Sequence, residues 1–141
     1  MRDACNRFIK RRGGGEKMRV NKLLDKKGHD VYSASPDTTV YDALKTMAEK
    51  EIGALVVLEK GKMAGIMSER DYARKVILRG RSSKDTLVSA IMTADVISTS
   101  PDTKVKKCLA LMIKKKIRHM PVIEDGKLVG VISIDDVRHV T

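Results

Sequence analysis

Apolar residues recur along this chain with two different periods, and the whole pattern occurs twice. Val40, Ala43, Leu44 and Met47 fall at i, i+3, i+4 and i+7, and Val105, Cys108, Leu109 and Met112 repeat the stripe. That spacing predicts two amphipathic helices. Each is followed by a strand–turn–strand pattern. The first has an apolar run over 54–58, a Lys60-Gly61 turn and a second strand over 62–67; in the second, Asp125-Gly126 is the pair expected of a two-residue hairpin loop. A short strand, over 31–33 and again over 96–98, enters each helix through a Ser-Pro-Asp-Thr turn whose Asp and Thr are good N-cap residues. A further helix follows each hairpin, from Glu69 to about Leu78 and from Ile134 to the C-terminus.

Shifting the chain by 65 positions aligns 30–71 with 95–136 without a gap and gives 19 identical pairs in 42. That is far beyond chance and marks an internal duplication. The unit is β-α-β-β-α, present twice, which makes the chain an α/β protein. A three-stranded sheet cannot cover both of its own faces, so the two repeats are expected to pack sheet-to-sheet with pseudo-two-fold symmetry. The polar stretch 80–85 breaks the pattern and links the copies. A short helix over 87–92 leads into the second copy, and 20–24 is expected to do the same for the first. The expected organisation is a basic arm over 1–17, a first domain over 18–80 and a second over 81–141, with 81–86 as linker.

Composition narrows the picture. Hydrophobic residues make up 42% of the chain and aromatics only 3%, so aliphatic side chains must build the core. No run reaches the roughly 18 apolar residues of a membrane span, and the start lacks a secretory pattern. Cys5 and Cys108 cannot frame a disulfide scaffold, which fits a reducing compartment and a cytoplasmic location. The net charge of +11 points toward nucleic acid until it is divided along the chain. Residues 1–29 carry ten Lys/Arg against three acids; residues 30–141 carry 19 against 15. Most of the basicity sits in a leader where Lys10-Arg11-Arg12 precede Gly13-Gly14-Gly15, which reads as a flexible arm.

Candidate chemistry concentrates where each hairpin enters its helix. The two junctions read Gly65-Ile66-Met67-Ser68-Glu69-Arg70-Asp71 and Gly130-Val131-Ile132-Ser133-Ile134-Asp135-Asp136. Ser followed three residues later by an acid is close to a capping box. The acid is Asp in both copies, although Glu and Gln are the usual partners there. A short carboxylate beside free helix N–H groups also suits a vicinal diol with a phosphate nearby, the Asp accepting from both ribose hydroxyls. Both readings stand on the sequence. Arg70 adds a charged donor where the second copy has Asp135. Arg118 and His119, where the first copy has Gly53-Ala54, are the other cationic candidates for phosphate oxygens. The plain alternative for Arg118 is an edge-strand side chain in water.

Taken together, the Ser-Pro-Asp-Thr turns, Ile52-Gly53-Ala54-Leu55-Val56-Val57, Arg118-His119-Met120-Pro121-Val122 and the two Gly-x-x-Ser-x-x-Asp junctions resemble a known family over roughly 20–141. It is the tandem cystathionine-β-synthase-type (CBS) domain pair, or Bateman module. The first copy is similar to the stand-alone bacterial and archaeal form, in which Ser-Glu-Arg-Asp-Tyr runs into a basic helix. The resemblance implies an adenine nucleotide (AMP, ADP, ATP, sometimes NAD or S-adenosylmethionine) in clefts between the two sheets. Ser68 with Asp71, and Ser133 with Asp136, would contact phosphate and ribose. The implied adenine slot comprises Tyr32, Ile52, Ile66, Ile97 and Val131, with phosphate contacts from Arg70, Arg118 and His119, Gly53 as a further nucleotide-binding residue, and no metal. The resemblance also implies a homodimer that buries an apolar helix face, and a sensor that passes ligand state to an unidentified protein partner or to its own assembly.

Other classes fit less well. Catalysis needs a nucleophile–base pair, a metal cluster or a cofactor loop. His29, His119 and His139 lie far apart with no Cys at ligand spacing, and Cys108 sits on the apolar stripe opposite Ala43, as a buried small hydrophobe would. A non-enzyme is expected. The alternative is a nucleic-acid-binding protein that uses the basic arm, with the repeat pair as regulatory or dimerisation platform; apart from Phe8 the arm lacks aromatics for base stacking. Lys114-Lys115-Lys116 closes a helix, where cations suit the macrodipole.

Overall fold

The computed structural model describes residues 17–141. The basic arm expected over 1–17, save for Lys17, and Cys5 lie outside the described residues. The elements, in chain order, are α1 (Val20–Lys27), β1 (Ser33–Ala34), α2 (Val40–Lys50), β2 (Ala54–Glu59), β3 (Lys62–Ser68), α3 (Glu69–Lys75), α4 (Val105–Lys115), β4 (His119–Glu124), β5 (Lys127–Ser133) and α5 (Ile134–Val140). Single 3-10 turns at Ile77–Arg79 and Val88–Ala90 follow α3. The α/β class is that expected; the β-α-β-β-α order is complete in the first repeat, and the second repeat shows it without its first strand.

In the first repeat β1 pairs parallel with β2, and β2 pairs antiparallel with β3. In the second, β4 and β5 form the equivalent hairpin. Both turns carry two residues at positive φ, Lys60-Gly61 and Asp125-Gly126, as a two-residue loop requires. Both hairpins also shift register at the same place, between Val57 and Leu58 and between Val122 and Ile123. The first strand of the second repeat, expected over 96–98, is reduced to one parallel bridge, Thr99 to Val122. Thr99 donates to Pro121 O and accepts from the Ile123 N–H. The next bond of a parallel ladder would need an N–H on Pro121, and proline has none. Val56, its counterpart, has one, and β1 forms there.

The chain divides into two compact units that cut across the repeat boundaries. One is Val31–Val96; the other joins 17–30 to Ile97–Thr141. The division expected between 18–80 and 81–141 follows the repeats along the sequence, whereas the compact units group the segment before each repeat with the other one. Each repeat is completed by a segment that precedes the other one. Val88 and Ser89 donate to Thr38 O and Pro36 O, and Val40 donates to Thr86 O. In the other unit Val20 and Asn21 donate to Thr103 O and Pro101 O, and Val105 donates to Met18 O. The physical reason is burial. Val20, Leu23 and Leu24 fill a core with Val105, Cys108, Met112, Met120 and Ile132, and Val88 and Ile91 do so with Val40, Met47, Leu55 and Met67.

Local details differ from expectation at four points. The cap of α2 is Thr39, whose hydroxyl accepts from the Asp42 N–H; Thr38 is used instead inside the preceding turn, where its hydroxyl accepts from the Ser35 N–H. Lys104 precedes α4 with no side-chain cap, because the position of Thr39 is taken there by lysine. The helix expected from Glu69 to Leu78 stops at Lys75, and the one expected over 87–92 is the 3-10 turn Val88–Ala90.

Candidate functional site

Each hairpin delivers its last residue, a serine, as the N-cap of the next helix. Ser68 accepts from the Asp71 N–H, and the Asp71 carboxylate accepts from the Ser68 N–H at 2.9 Å. Ser133 and Asp136 make the same reciprocal pair, at 2.8 Å for the Ser133 N–H. The capping-box reading of both junctions is therefore correct. It leaves open what else the carboxylates hold, because each has about four lone-pair positions.

The two acids differ in that respect. Asp71 is 8% exposed, and both of its oxygens are engaged. Oδ2 accepts from the Ser68 amide and hydroxyl; Oδ1 accepts from Lys75 Nζ at 3.1 Å and from the Thr93 hydroxyl at 3.3 Å. Asp136 is more open. Its Oδ2 accepts from the Ser133 N–H and from Lys27 Nζ at 2.8 Å, and Oδ1 makes no hydrogen bond among the described residues. Burial alone would raise the Asp136 carboxyl, but the Lys27 ammonium and the Ser133 donors outweigh it and hold the group below its ordinary value.

The remaining candidates divide between the two units. Gly53 stands at the first junction through its backbone, where its carbonyl accepts from the Glu69 N–H. Ile66 lies on β3 two residues before Ser68 and exchanges both backbone bonds with Thr93. Tyr32 and Ile52 pack against the core of that unit. Arg70 is in the first turn of α3, exposed and adjacent to Asp71. In the other unit, the Arg118 carbonyl accepts from the Ile134 N–H in the manner of Gly53, while its guanidinium lies 3.7 Å from Asp135. A phosphate on Arg118 would compete with that carboxylate. His119 sits opposite Ser133 in the hairpin register. Burial, then the nearby Arg118 and Lys27, push its imidazole below its ordinary value, so near neutral pH it is a neutral hydrogen-bonding group. Ile97 packs on the core, and the Val131 carbonyl accepts from Lys27 Nζ at 2.6 Å.

Sequence reasoning missed Lys75, Thr93 and Lys27. Lys75 was open to detection, since it lies at i+4 from Asp71 on a helix. Thr93 and Lys27 belong to the exchanged segments, whose only trace is a faint echo of Val20-x-x-Leu23-Leu24 in Val88-x-x-Ile91-Met92. Among the described residues no group of three or more His, Cys, Asp or Glu could hold a metal. No helix there is long and apolar enough to cross a membrane. Cys108 is buried, and burial raises its thiol above the ordinary range.

A duplicated α/β unit with one capped Ser-x-x-Asp junction per repeat defines a class of tandem-repeat modules. The chain belongs to the CBS-domain family: the CBS domain model matches residues 26–78 and 88–140. It is 43% identical over 133 residues to the CBS domain-containing protein CBSX3, mitochondrial, of Arabidopsis thaliana, covering 88% of this chain and 65% of that one. The chain thus spans just under two thirds of that relative's length. Its fold matches a solved protein with CBS domains from Burkholderia ambifaria MC40-6 at a TM-score of 0.84 and 48% identity, over 86% of this chain and 91% of that one. A more distant match is the CBS domain pair of protein MJ0100, solved with 5′-methylthioadenosine and S-adenosyl-L-methionine. It has a TM-score of 0.77 and 24% identity, over 86% of this chain and 94% of that one, and carries the likeness of fold alone.

Proposed function

We propose that this chain is a non-enzymatic sensor that binds an adenine nucleotide (AMP, ADP, ATP or NAD) without a metal and passes its ligand state to a protein partner or to its own assembly. The observation that carries this reading is the open carboxylate of Asp136. It stands on the first turn of a helix beside a serine hydroxyl, with one oxygen uncommitted among the described residues. That oxygen can accept a ribose hydroxyl, while Ser133 and His119 stand within one hairpin position of each other. Two distant relatives of one fold need not share a ligand, yet the adenosine compounds bound by the MJ0100 pair agree with this chemistry. Asp71, closed by four donors, is the weaker candidate, so we assign the working contact to the second repeat.

Sensing requires that the ligand favour one arrangement over another, since that difference is all the switching energy available. We assign the cytoplasm as the compartment, from the two-cysteine composition, and a homodimer as the assembly. The test of the function is thermal melting with millimolar AMP, ATP and NAD on the wild type, Asp71→Ala and Asp136→Ala. A ligand at 100 times its dissociation constant stabilises by about 2.7 kcal/mol, a shift of several degrees. The expected result is a nucleotide-dependent rise that survives Asp71→Ala and is lost in Asp136→Ala. No rise with any of the three nucleotides overturns the proposal.

A further inference from the structure

The ammonium of Lys27 is placed with unusual care for a surface lysine. It bonds Asp136 Oδ2 at 2.8 Å and the Val131 carbonyl at 2.6 Å, and its side chain is one third exposed. Its position is dictated by packing one turn earlier. A Cβ built on Gly130 would lie 2.7 Å from Leu24 Cδ2, so the absence of a side chain at residue 130 leaves the space that Leu24 fills where α1 packs on β5. Leu24 and Lys27 are three apart and share a face of α1. The contact that buries Leu24 therefore also carries Lys27 to the Ser133–Asp136 junction.

Charge gives this placement a consequence. The junction presents two carboxylates, Asp135 and Asp136. Arg118 lies 3.7 Å from the first and Lys27 is bonded to the second. Without Lys27, Asp136 would be an uncompensated negative charge within a few ångströms of any phosphate on a ribose that it holds, and would repel it. With Lys27 in place, the carboxylate remains a hydrogen-bond acceptor through Oδ1 while its charge is offset. An ammonium has three donors, and two are used, which leaves one for a phosphate or a ribose oxygen. The first junction is built otherwise: Lys75 closes Asp71 from the same helix, together with Thr93, and no acceptor position is left.

We infer that Lys27 is the ligand-selecting residue of the second-repeat junction, permitting an adenosine that carries a 5′-phosphate where Asp136 alone would favour the uncharged nucleoside. This rests on the nucleotide-binding reading above. Lys27 is a selecting residue rather than a scaffold for the helix, and the two roles predict different results.

The test is calorimetric titration of the full chain with AMP and with 5′-methylthioadenosine, which share the adenosine and differ in the phosphate. Wild type, Lys27→Gln and Lys27→Arg are compared, with melting curves to confirm that each is folded. The expected result is that Lys27→Gln weakens AMP at least tenfold and methylthioadenosine less than threefold, and that Lys27→Arg restores the preference. Equal weakening of both ligands, or of neither, overturns the inference while leaving nucleotide binding intact. Wild type that binds neither compound overturns this inference, and wild type that also fails to bind ATP and NAD overturns the nucleotide reading with it. If Lys27→Gln does not fold, the AMP preference of Lys27→Arg over Lys27→Met decides the question by the same ratio.

Discussion

Asp71 and Asp136 occupy the same place in the two repeats and are the same residue, yet their surroundings give them different capacities. Four protein donors leave Asp71 with no position for a ligand hydroxyl, whereas Asp136 keeps Oδ1 open among the described residues. The Ser-x-x-Asp pairs were legible in the sequence because a capping box is local, spanning four residues. The donors that distinguish the copies were not, because Thr93 and Lys27 arrive from segments 22 and 109 positions away. His119 supplies a test at this scale. Its folded-state pKa is lowered, first by burial and then by Arg118 and Lys27. The unfolded chain therefore takes up this proton more readily. The group costs nothing well above pH 6.5, and stability is lost as pH falls from there toward its folded value. Melting curves at pH 7.5 and 5.5 should show a drop that is smaller in His119→Gln than in the wild type. An equal drop in the variant would show that His119 is not the group responsible.

The elements were well legible where a face is buried, and less so where a partner segment decides. Helices α2 and α4 follow their apolar stripes, with Val40, Ala43 and Met47 and then Val105, Cys108 and Met112 buried. The hairpins follow their turn residues. The strand expected over 96–98 failed because Pro121, on the opposite strand, withholds a bond that no local pattern in 96–98 records. The identity of Gly65 with Gly130 was visible as a repeat match, but its cause is tertiary: both lie where an exchanged segment crosses β3 or β5. A Cβ at Gly65 would meet the Thr93 carbonyl oxygen at 2.6 Å, whereas the nearest atoms to one at Gly130 belong to the Leu24 side chain. A backbone oxygen in a hydrogen-bonded bridge cannot yield, and a leucine tip can shift. Gly65→Ala is therefore expected to cost about 2–3 kcal/mol and Gly130→Ala about 1 kcal/mol, measured by urea denaturation. The reverse order would contradict the account of how the segments dock.

At the scale of the whole molecule, the units differ in charge more than the repeats differ in sequence. Val31–Val96 carries ten Lys/Arg against nine acids; 17–30 with Ile97–Thr141 carries 14 against seven. Helix α4 has four lysines and no acid, where α2 has Asp42 and Glu49. The basicity that first suggested nucleic acid thus extends beyond the leader into the unit that holds the open junction, which suits a phosphorylated ligand there. Among the described residues, the exposed large apolar side chains are Tyr41, Ile77, Leu78 and Leu87 in one unit and Ile113 in the other. We expect Leu78→Glu to shift a homodimer toward monomer in sedimentation equilibrium without lowering the melting temperature of the monomer. A wild-type chain that is monomeric at micromolar concentration would remove the homodimer from the proposal. The central claim, that the second-repeat junction holds an adenine nucleotide, is tested most directly by titrating the wild-type chain with AMP, ATP and NAD in a calorimeter and repeating the titrations with Asp136→Ala. The account predicts binding of at least one nucleotide that is abolished in the variant; wild-type chain that binds none of the three, or a variant that binds the nucleotide as the wild type does, would contradict it.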